Sequence, residues 1–397
     1  MLVPLANEPR DYSWGSMTLI ADLESREPSG RAEAEVWFGD HPADPSETPD
    51  GRTLDTWLAD EGPAVGVPAA LPYLLKLLAA ASALSIQAHP SKSRAEAGFA
   101  REEAAGIPRD APERTYRDAN HKPELIVAVS ESFRALAGLR DVEGTRRLVD
   151  ELGPRARPLA ERLAASDAPL AAVIGWVLGE AGDDIHAIIA AASDTHSAEF
   201  AAELALVREL DAAFPGDPGI VVALLMNLVT LRRGEGLFVP AGVLHAYLEG
   251  LGVELMAASD NVLRGGLTPK HVDVAELLSV LDATPGQVPV SSAREVAPGV
   301  DRYDVPVADF TLHRVRSAAT LPVGGPAIAL ATAGRVTVEG AVSATGVELS
   351  PGQAVLVTPD EKHVRVTGEG ELFVALPGGP LSQRDTPSAR REGSSDA

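Results

Sequence analysis

The chain contains no cysteine, which excludes disulfides, thiolate metal sites and cysteine nucleophiles at once. Lysine is scarce as well. Of 34 basic residues 29 are arginine, and the five lysines are Lys76, Lys92, Lys122, Lys270 and Lys362. Acidic residues number 57, for a net charge of −23, so nucleic acid and anionic membrane surfaces, which are held mainly by basic patches, are not expected as partners. No run of 18 apolar residues occurs, and Met1 to Arg10 lacks a charged start followed by an apolar core. Neither a membrane span nor a secretory leader is therefore expected; the expected setting is the cytoplasm and the expected state a monomer.

What is present has the composition of an ordinary globular protein, 45% apolar and 23% charged over 397 residues, long enough for two or three domains. The rare lysines are not scattered. Four of the five fall in or beside segments that combine polar and apolar residues in unusual ways, which points to a shared site.

The first such segment is Ser82 to Lys92. As a strand it puts Leu84, Ile86 and Ala88 on one face and Ser85, Gln87 and His89 on the other. Three polar groups on one face of an apolar run are costly to bury without partners. Upstream, Lys76 lies among Leu74, Leu75, Leu77 and Leu78 and is either a snorkelling surface residue or a buried cation with an anionic partner. Trp14-Gly15 and Glu35 to His41 place aromatic and ionisable groups together, a pattern that by itself fits ordinary core and turns. Downstream, Leu125 to Val129 reads as a short buried strand. Pro123 favours an extended Lys122, so Lys122 and Glu124 project to the same side at the strand mouth.

From about Asp141 to Met226 alanine, leucine and charges recur at helical spacing. This predicts a helical block whose histidines, His186 and His196, have no ligand-type neighbours. Strand texture resumes at Leu228. Leu244 to Ala257 carries Gly250-Leu251 at its centre, a type II′ turn signal. The predicted hairpin pairs Tyr247 with Glu254 and His245 with Met256, and brings His245, Tyr247 and Glu254 onto one face. Ser259 to Lys270 then reads as a loop carrying Arg264 and Lys270. Val274 to Leu281 reads as a helix and 296–377 as a second all-β unit. The polar residues 381–397 read as a disordered tail.

Gln87, His89, Glu124 and His245 offer one amide oxygen, two imidazole nitrogens and a carboxylate, an N/O set suited to a borderline divalent ion, zinc first. The competing reading is a set of hydrogen-bonded polar residues inside a β-sandwich.

Ser85-Ile-Gln-Ala-His-Pro-Ser-Lys92, Asn120-His-Lys-Pro-Glu124, Val239-Pro-Ala-Gly-Val-Leu-His-Ala-Tyr247 and Ser259-Asp-Asn-Val-Leu-Arg-Gly-Gly-Leu-Thr-Pro-Lys270 together resemble type I phosphomannose isomerase in order and spacing, over roughly residues 1–380. Tyr12-Ser-Trp-Gly15 agrees. The resemblance implies a mainly β protein with an α insert: a catalytic cupin-type jelly roll formed by 1–140 and 227–290, a helical insert at 141–226, and a second jelly-roll-like unit at 291–380. It implies interconversion of mannose 6-phosphate and fructose 6-phosphate with one zinc ion per chain on Gln87, His89, Glu124 and His245. Arg264, Glu254 and Lys122 match catalytic or cavity-lining positions. Ser85, Lys76, Lys92, Lys270, Tyr247 and Trp14 match the substrate-binding set, with Ser85, Lys76 and Lys92 near the phosphate. Ser91 stands where the common motif has aspartate, with little expected consequence because the ligand pair and Lys92 are intact. Chemically, zinc polarises a carbonyl, Arg264 stabilises an oxyanion, and Glu254 is the candidate base, with Lys122 or a zinc-bound water as alternatives. Two other classes fit a cupin: an iron-dependent oxygenase, which has no use for four lysines at its site, and a silent sugar-binding protein, which would be expected to have lost a ligand or Arg264.

Overall fold

The computed structural model describes residues 1–165, 169–287 and 290–379; the expected tail at 381–397 lies outside these. Among the described residues the strand ladders between named strands are all antiparallel. No helix among them is long and apolar enough to cross a membrane.

The first β unit is built from β1 (Leu2–Leu5), β2 (Glu35–Phe38), β3 (Tyr73–Ala80), β4 (Gln87–Ala88), β5 (Glu124–Ala128), β6 (Ser132–Leu139), β7 (Met226–Arg232), β8 (Glu235–Val239), β9 (His245–Ala257) and β10 (Leu263–Arg264), except that β1 crosses over to pair with the C-terminal sheet. β9 is the hub. Its first residues pair with β4 and β6, and its remainder, from Gly250, pairs with β3 and β5. One strand thus passes from one wall of the β unit to the other.

This overturns the predicted hairpin. His245–Ala257 is one continuous 13-residue strand, and Glu254 lies opposite Lys76 and Ile126 rather than Tyr247. The glycines that read as a turn are there for close approach. Gly250 sits at φ +127°, and a Cβ on it would lie 2.8 Å from the Phe133 ring; on Gly252 it would lie 2.7 Å from Ile126. A register shift opposite β6 between Tyr247 and Glu249 lets the inward face change parity. His245 and Tyr247 face inward before it, and Glu254 after it.

In β3 every residue is buried and the two faces have different neighbours. Tyr73, Leu75, Leu77 and Ala79 pack into a core with Ile328, Leu330, Leu356 and Phe373 of the C-terminal β unit. Lys76 faces the other way, into the first β unit, so of its two readings the buried cation holds. The C-terminal strands, from Val300–Tyr303 to His363–Leu376, therefore cap the outer face of that unit's sheet. A second tie is polar. Glu371 accepts from Arg314, Arg233 and Thr332, and Arg233 lies in the β7–β8 turn.

Among the described residues six α-helices lie between Val142 and Leu224. Asp141 opens them by accepting the Gly144 N–H at 2.7 Å, an N-cap interaction. Their apolar faces share one core with Ile86, Ala88, Leu136, Ala246 and Leu248 of the β unit. His186 is exposed on the helix Asp183–Asp194 and His196 just beyond its end. Ser91 caps the helix Lys92–Ala104 by accepting the Arg94 N–H, a task aspartate performs equally well.

Leu330 is fully buried in the core between the two β units. Leu330→Ala is expected to cost about 3 kcal/mol in urea unfolding while leaving the metal content of the folded protein unchanged.

Candidate active site

Three side chains from three distant segments meet at one point. Pro123 leads into β5 so that Glu124 is its first residue, β4 delivers Gln87 with His89 just beyond it, and β9 begins on His245. The expected ligand strand is shorter than the sequence suggests, since only Gln87–Ala88 is ladder. Ser82–Ile86 runs irregularly, held by Leu84 N–H on Tyr247 O and Ile86 N–H on Gly266 O, and Leu84 turns toward the cavity with Ser85 and Gln87. Ile86 and Ala88 keep the opposite side, in the core shared with the helices.

His89 Nδ1 lies 2.7 Å from the backbone oxygen of Asn261. The carbonyl only accepts, so Nδ1 carries the proton and Nε2 keeps its lone pair. That Nε2 is 3.2 Å from Glu124 Oε1, fully buried, and makes no hydrogen bond. His245 Nε2 stands 3.2 Å from Glu124 Oε2. One ligand atom from each of the three residues lies within 4.8 Å of the others. Gln87 lies beside His245 in register; its amide nitrogen donates to Ser85 Oγ at 2.9 Å, which leaves the amide oxygen as its available ligand atom. An unprotonated imidazole nitrogen facing a carboxylate in a dry site is favourable only with a cation between them. The donor set fits zinc.

Charge placement supports the same conclusion. Burial holds His89 down to about 4, so the ring is neutral, as a ligand must be. Burial alone would raise Glu124, but the Lys122 ammonium, 3.0 Å away, and the two histidines hold it well below the usual carboxylate range.

Beside this cluster is a buried pair. Lys76 Nζ lies 3.1 Å from Glu254 Oε2 and 3.5 Å from Glu35 Oε1, over the Trp37 ring. Burial would lower the ammonium, yet Glu254, Glu35 and Glu124 outweigh it and its pKa is raised. Burial pushes Glu254 up; Lys76 opposes that, while Glu124 and Glu35 add to it. Tyr247, whose hydroxyl approaches Glu124 at 3.4 Å, is raised well above its ordinary value by burial and by Glu254 and Glu124.

All of this borders one cavity of about 490 Å³ that also reaches Trp14, Ser85, Arg264 and Lys270. Arg264 is the register partner of Gln87, so Arg264, Gln87 and His245 form one rung across three strands. Arg264 and Lys270 have no counterion among the described residues. Burial and the Arg117 cation lower Arg264, and burial with Arg264 and Arg117 lowers Lys270. Unpaired cations lining a cavity are a built-in receptor for an anion.

Lys92 is a correction. It is half exposed, bound to Ala119 O, Asn120 and Glu96, and outside the cavity lining. It opens a helix that leads away from the site. Lys76 lines the cavity but is committed to two carboxylates, so the lining cations without a counterion among the described residues are Arg264 and Lys270. Two residues went unassigned in the sequence. Glu35, read there as ordinary core, is a buried cavity carboxylate oriented by Trp37 Nε1 at 2.8 Å. Asn261, fully buried, accepts the Arg117 N–H at 2.8 Å and donates to the Asn120 and Asp118 carbonyls, which fixes its own carbonyl on His89. Its signal in sequence is only its place in the Ser259-Asp-Asn segment.

The profile of "Phosphomannose isomerase type I, catalytic domain" matches residues 2–142. The chain is 35% identical to mannose-6-phosphate isomerase of Escherichia coli K12, covering 93% of this chain and 97% of that one. It is 30% identical to the human mannose-6-phosphate isomerase over 94% and 97%. The structure of the Salmonella typhimurium enzyme bound to fructose 6-phosphate and zinc superposes with a TM-score of 0.86 at 29% identity, covering 95% of this chain and 99% of that chain. The chain belongs to the type I phosphomannose isomerase family.

Proposed function

We propose that this protein is a zinc-dependent aldose–ketose isomerase that interconverts mannose 6-phosphate and fructose 6-phosphate. The observation that carries the reading is the pairing, in one cavity, of a converging His89/Glu124/His245 lone-pair cluster with the unpaired cations Arg264 and Lys270. The relatives named mannose-6-phosphate isomerase support it. We take 1–140 with 227–290, 141–226 and 291–380 as the modules, supported by the run of helices between Val142 and Leu224 that separates two stretches of strands.

Gln87, His89, Glu124 and His245 would hold the zinc ion, which when bound polarises the sugar carbonyl as a Lewis acid. Lys270 and Ser85 receive the phosphate end. Glu254 removes the proton from C2 of the open-chain aldose and returns it to C1. Its burial favours proton uptake and Lys76 restores enough acidity for release, the compromise a general base needs. Arg264 remains cationic throughout and stabilises the enediolate oxygen. Lys122 holds Glu124 ionised, and Trp14 and Tyr247 wall the sugar from water.

Chelation should abolish turnover of mannose 6-phosphate in a coupled assay, and zinc should restore it; turnover by metal-free protein overturns the reading. The two kinds of residue should separate. Arg264→Ala should retain zinc and lose about 100-fold in kcat/KM. Gln87→Ala should release zinc about tenfold more readily, with metal analysis as the readout.

The Glu254 assignment makes a signed pH prediction. The Lys76 cation lowers the Glu254 pKa, so Lys76→Met raises it, and the deprotonated base is lost at higher pH. The acidic limb of the kcat/KM profile should move toward neutral pH. An unmoved limb removes Glu254 as the base.

A further inference from the structure

We propose that Asp217, in the helical insert, is the positioning residue that sets the phosphate-receiving loop. This inference rests on the isomerase reading and deepens it. The loop after Arg264 has two backbone hydrogen bonds to the β unit: Gly265 N–H donates to Ile86 O and Gly266 O accepts from Ile86 N–H. Leu267 then adopts φ +55°, a conformation costly for a leucine, and lines the cavity. The Asp217 carboxylate compensates for this. Its Oδ1 accepts the N–H groups of Leu267 at 3.0 Å and Gly219 at 2.7 Å, and its Oδ2 accepts Thr268 N–H at 3.2 Å. One side chain therefore fixes two consecutive peptides between Arg264 and Lys270.

The fit around the carboxylate is close. A Cβ on Gly266 would lie 2.3 Å from Gly219 Cα, and one on Gly219 would lie 2.6 Å from Leu267 N. Backbone of the insert and backbone of the loop touch without side chains between them. The same segment supplies Phe214 to the cavity wall. Arg264 and Lys270 repel each other and lack counterions among the described residues, so without an anchor they would separate. Arg264 is fixed by its strand ladder with Gln87, so Asp217 holds the part of the loop that turns Lys270 toward the anion, and its hydrogen bonds reach none of the metal-ligand side chains.

The consequence is a specific division of kinetic effects. Asp217→Ala should raise KM for mannose 6-phosphate about tenfold and weaken competitive inhibition by inorganic phosphate to the same degree. The kcat value and zinc content should stay near wild type. Asp217→Asn keeps the acceptor for Leu267 and Gly219 and loses only the one for Thr268, so it should fall between. Gly219→Ala, which pushes the loop from the other side, should reproduce the Ala phenotype. Glu203→Gln, which loosens the insert at its ion pair with Arg140 far from the loop, should leave phosphate inhibition unchanged. Should Asp217→Ala not fold, the Asn and Gly219 variants decide. Unchanged phosphate inhibition in folded Asp217 and Gly219 variants overturns the proposal, as does a loss confined to kcat or accompanied by zinc loss. Calorimetric titration of inorganic phosphate into wild type and variants keeps the two proposals separate. A wild type that binds phosphate without turning over mannose 6-phosphate defeats the isomerase reading while the variants still report on Asp217.

Discussion

Burial of charge constrains this site more than any other factor. Glu35, Glu124 and Glu254 are buried, and so are Lys76 and Lys122. Among these buried groups alone, three carboxylates against two ammonium groups leave one negative charge in excess, and an uncompensated buried charge costs several kcal/mol; the unpaired half-buried Arg264 and exposed Lys270 lie elsewhere on the cavity lining. His89 does not supply the balance by protonation: it is held neutral by burial, and its Nδ1 N–H is already donated to the Asn261 carbonyl. The residual charge and the converging lone pairs therefore make the same demand, and a divalent cation meets it. Metal binding and the stability of this core are then linked, because the cation stabilises the only state in which its ligands are assembled.

The strands carry out that assembly with little freedom. β9 supplies His245 from one wall and Glu254 from the other because it crosses between sheets. The crossing requires Gly250 and Gly252, where Phe133 and Ile126 leave no room for a side chain. A shift of register by one residue in β9 would turn His245 or Glu254 out of the cavity. The C-terminal β unit opposes such a shift, since its Ile328, Leu330 and Phe373 share a core with Leu251, Val253 and Leu255 on the outer face of β9.

The helical block between strand-rich stretches and the cluster of His89, Glu124 and His245 were legible in the sequence because both follow from local pattern. Polar residues at alternate positions of an apolar run marked Gln87 and His89, a proline before a carboxylate marked Glu124, and the loss of alternation after Asp141 marked the helical block. The failures share a different cause. Gly250-Leu251 has the local chemistry of a turn, and only the distant rings and side chains that crowd those glycines make it strand interior. Lys92 follows the ligand motif in sequence but opens a helix that carries it outward. Glu35 and Asn261 owe their roles to partners far along the chain, Lys76 for one and His89 for the other, and no local pattern announces either.

The helical insert shows the same principle at a larger scale. Its composition reads as a self-contained block, and most of its apolar surface is indeed buried against itself and one side of the β unit. Its contribution to the cavity comes from the short connection between its last two helices, where Phe214 faces the cavity and Asp217 binds the loop carrying Lys270. A loop that bears two unpaired cations has no internal source of rigidity, because repulsion favours its opening. The metal cluster is rigid because its own charges attract. The phosphate end needs an outside anchor, and an insert packed on the flank of the β unit is placed to provide one without obstructing the metal.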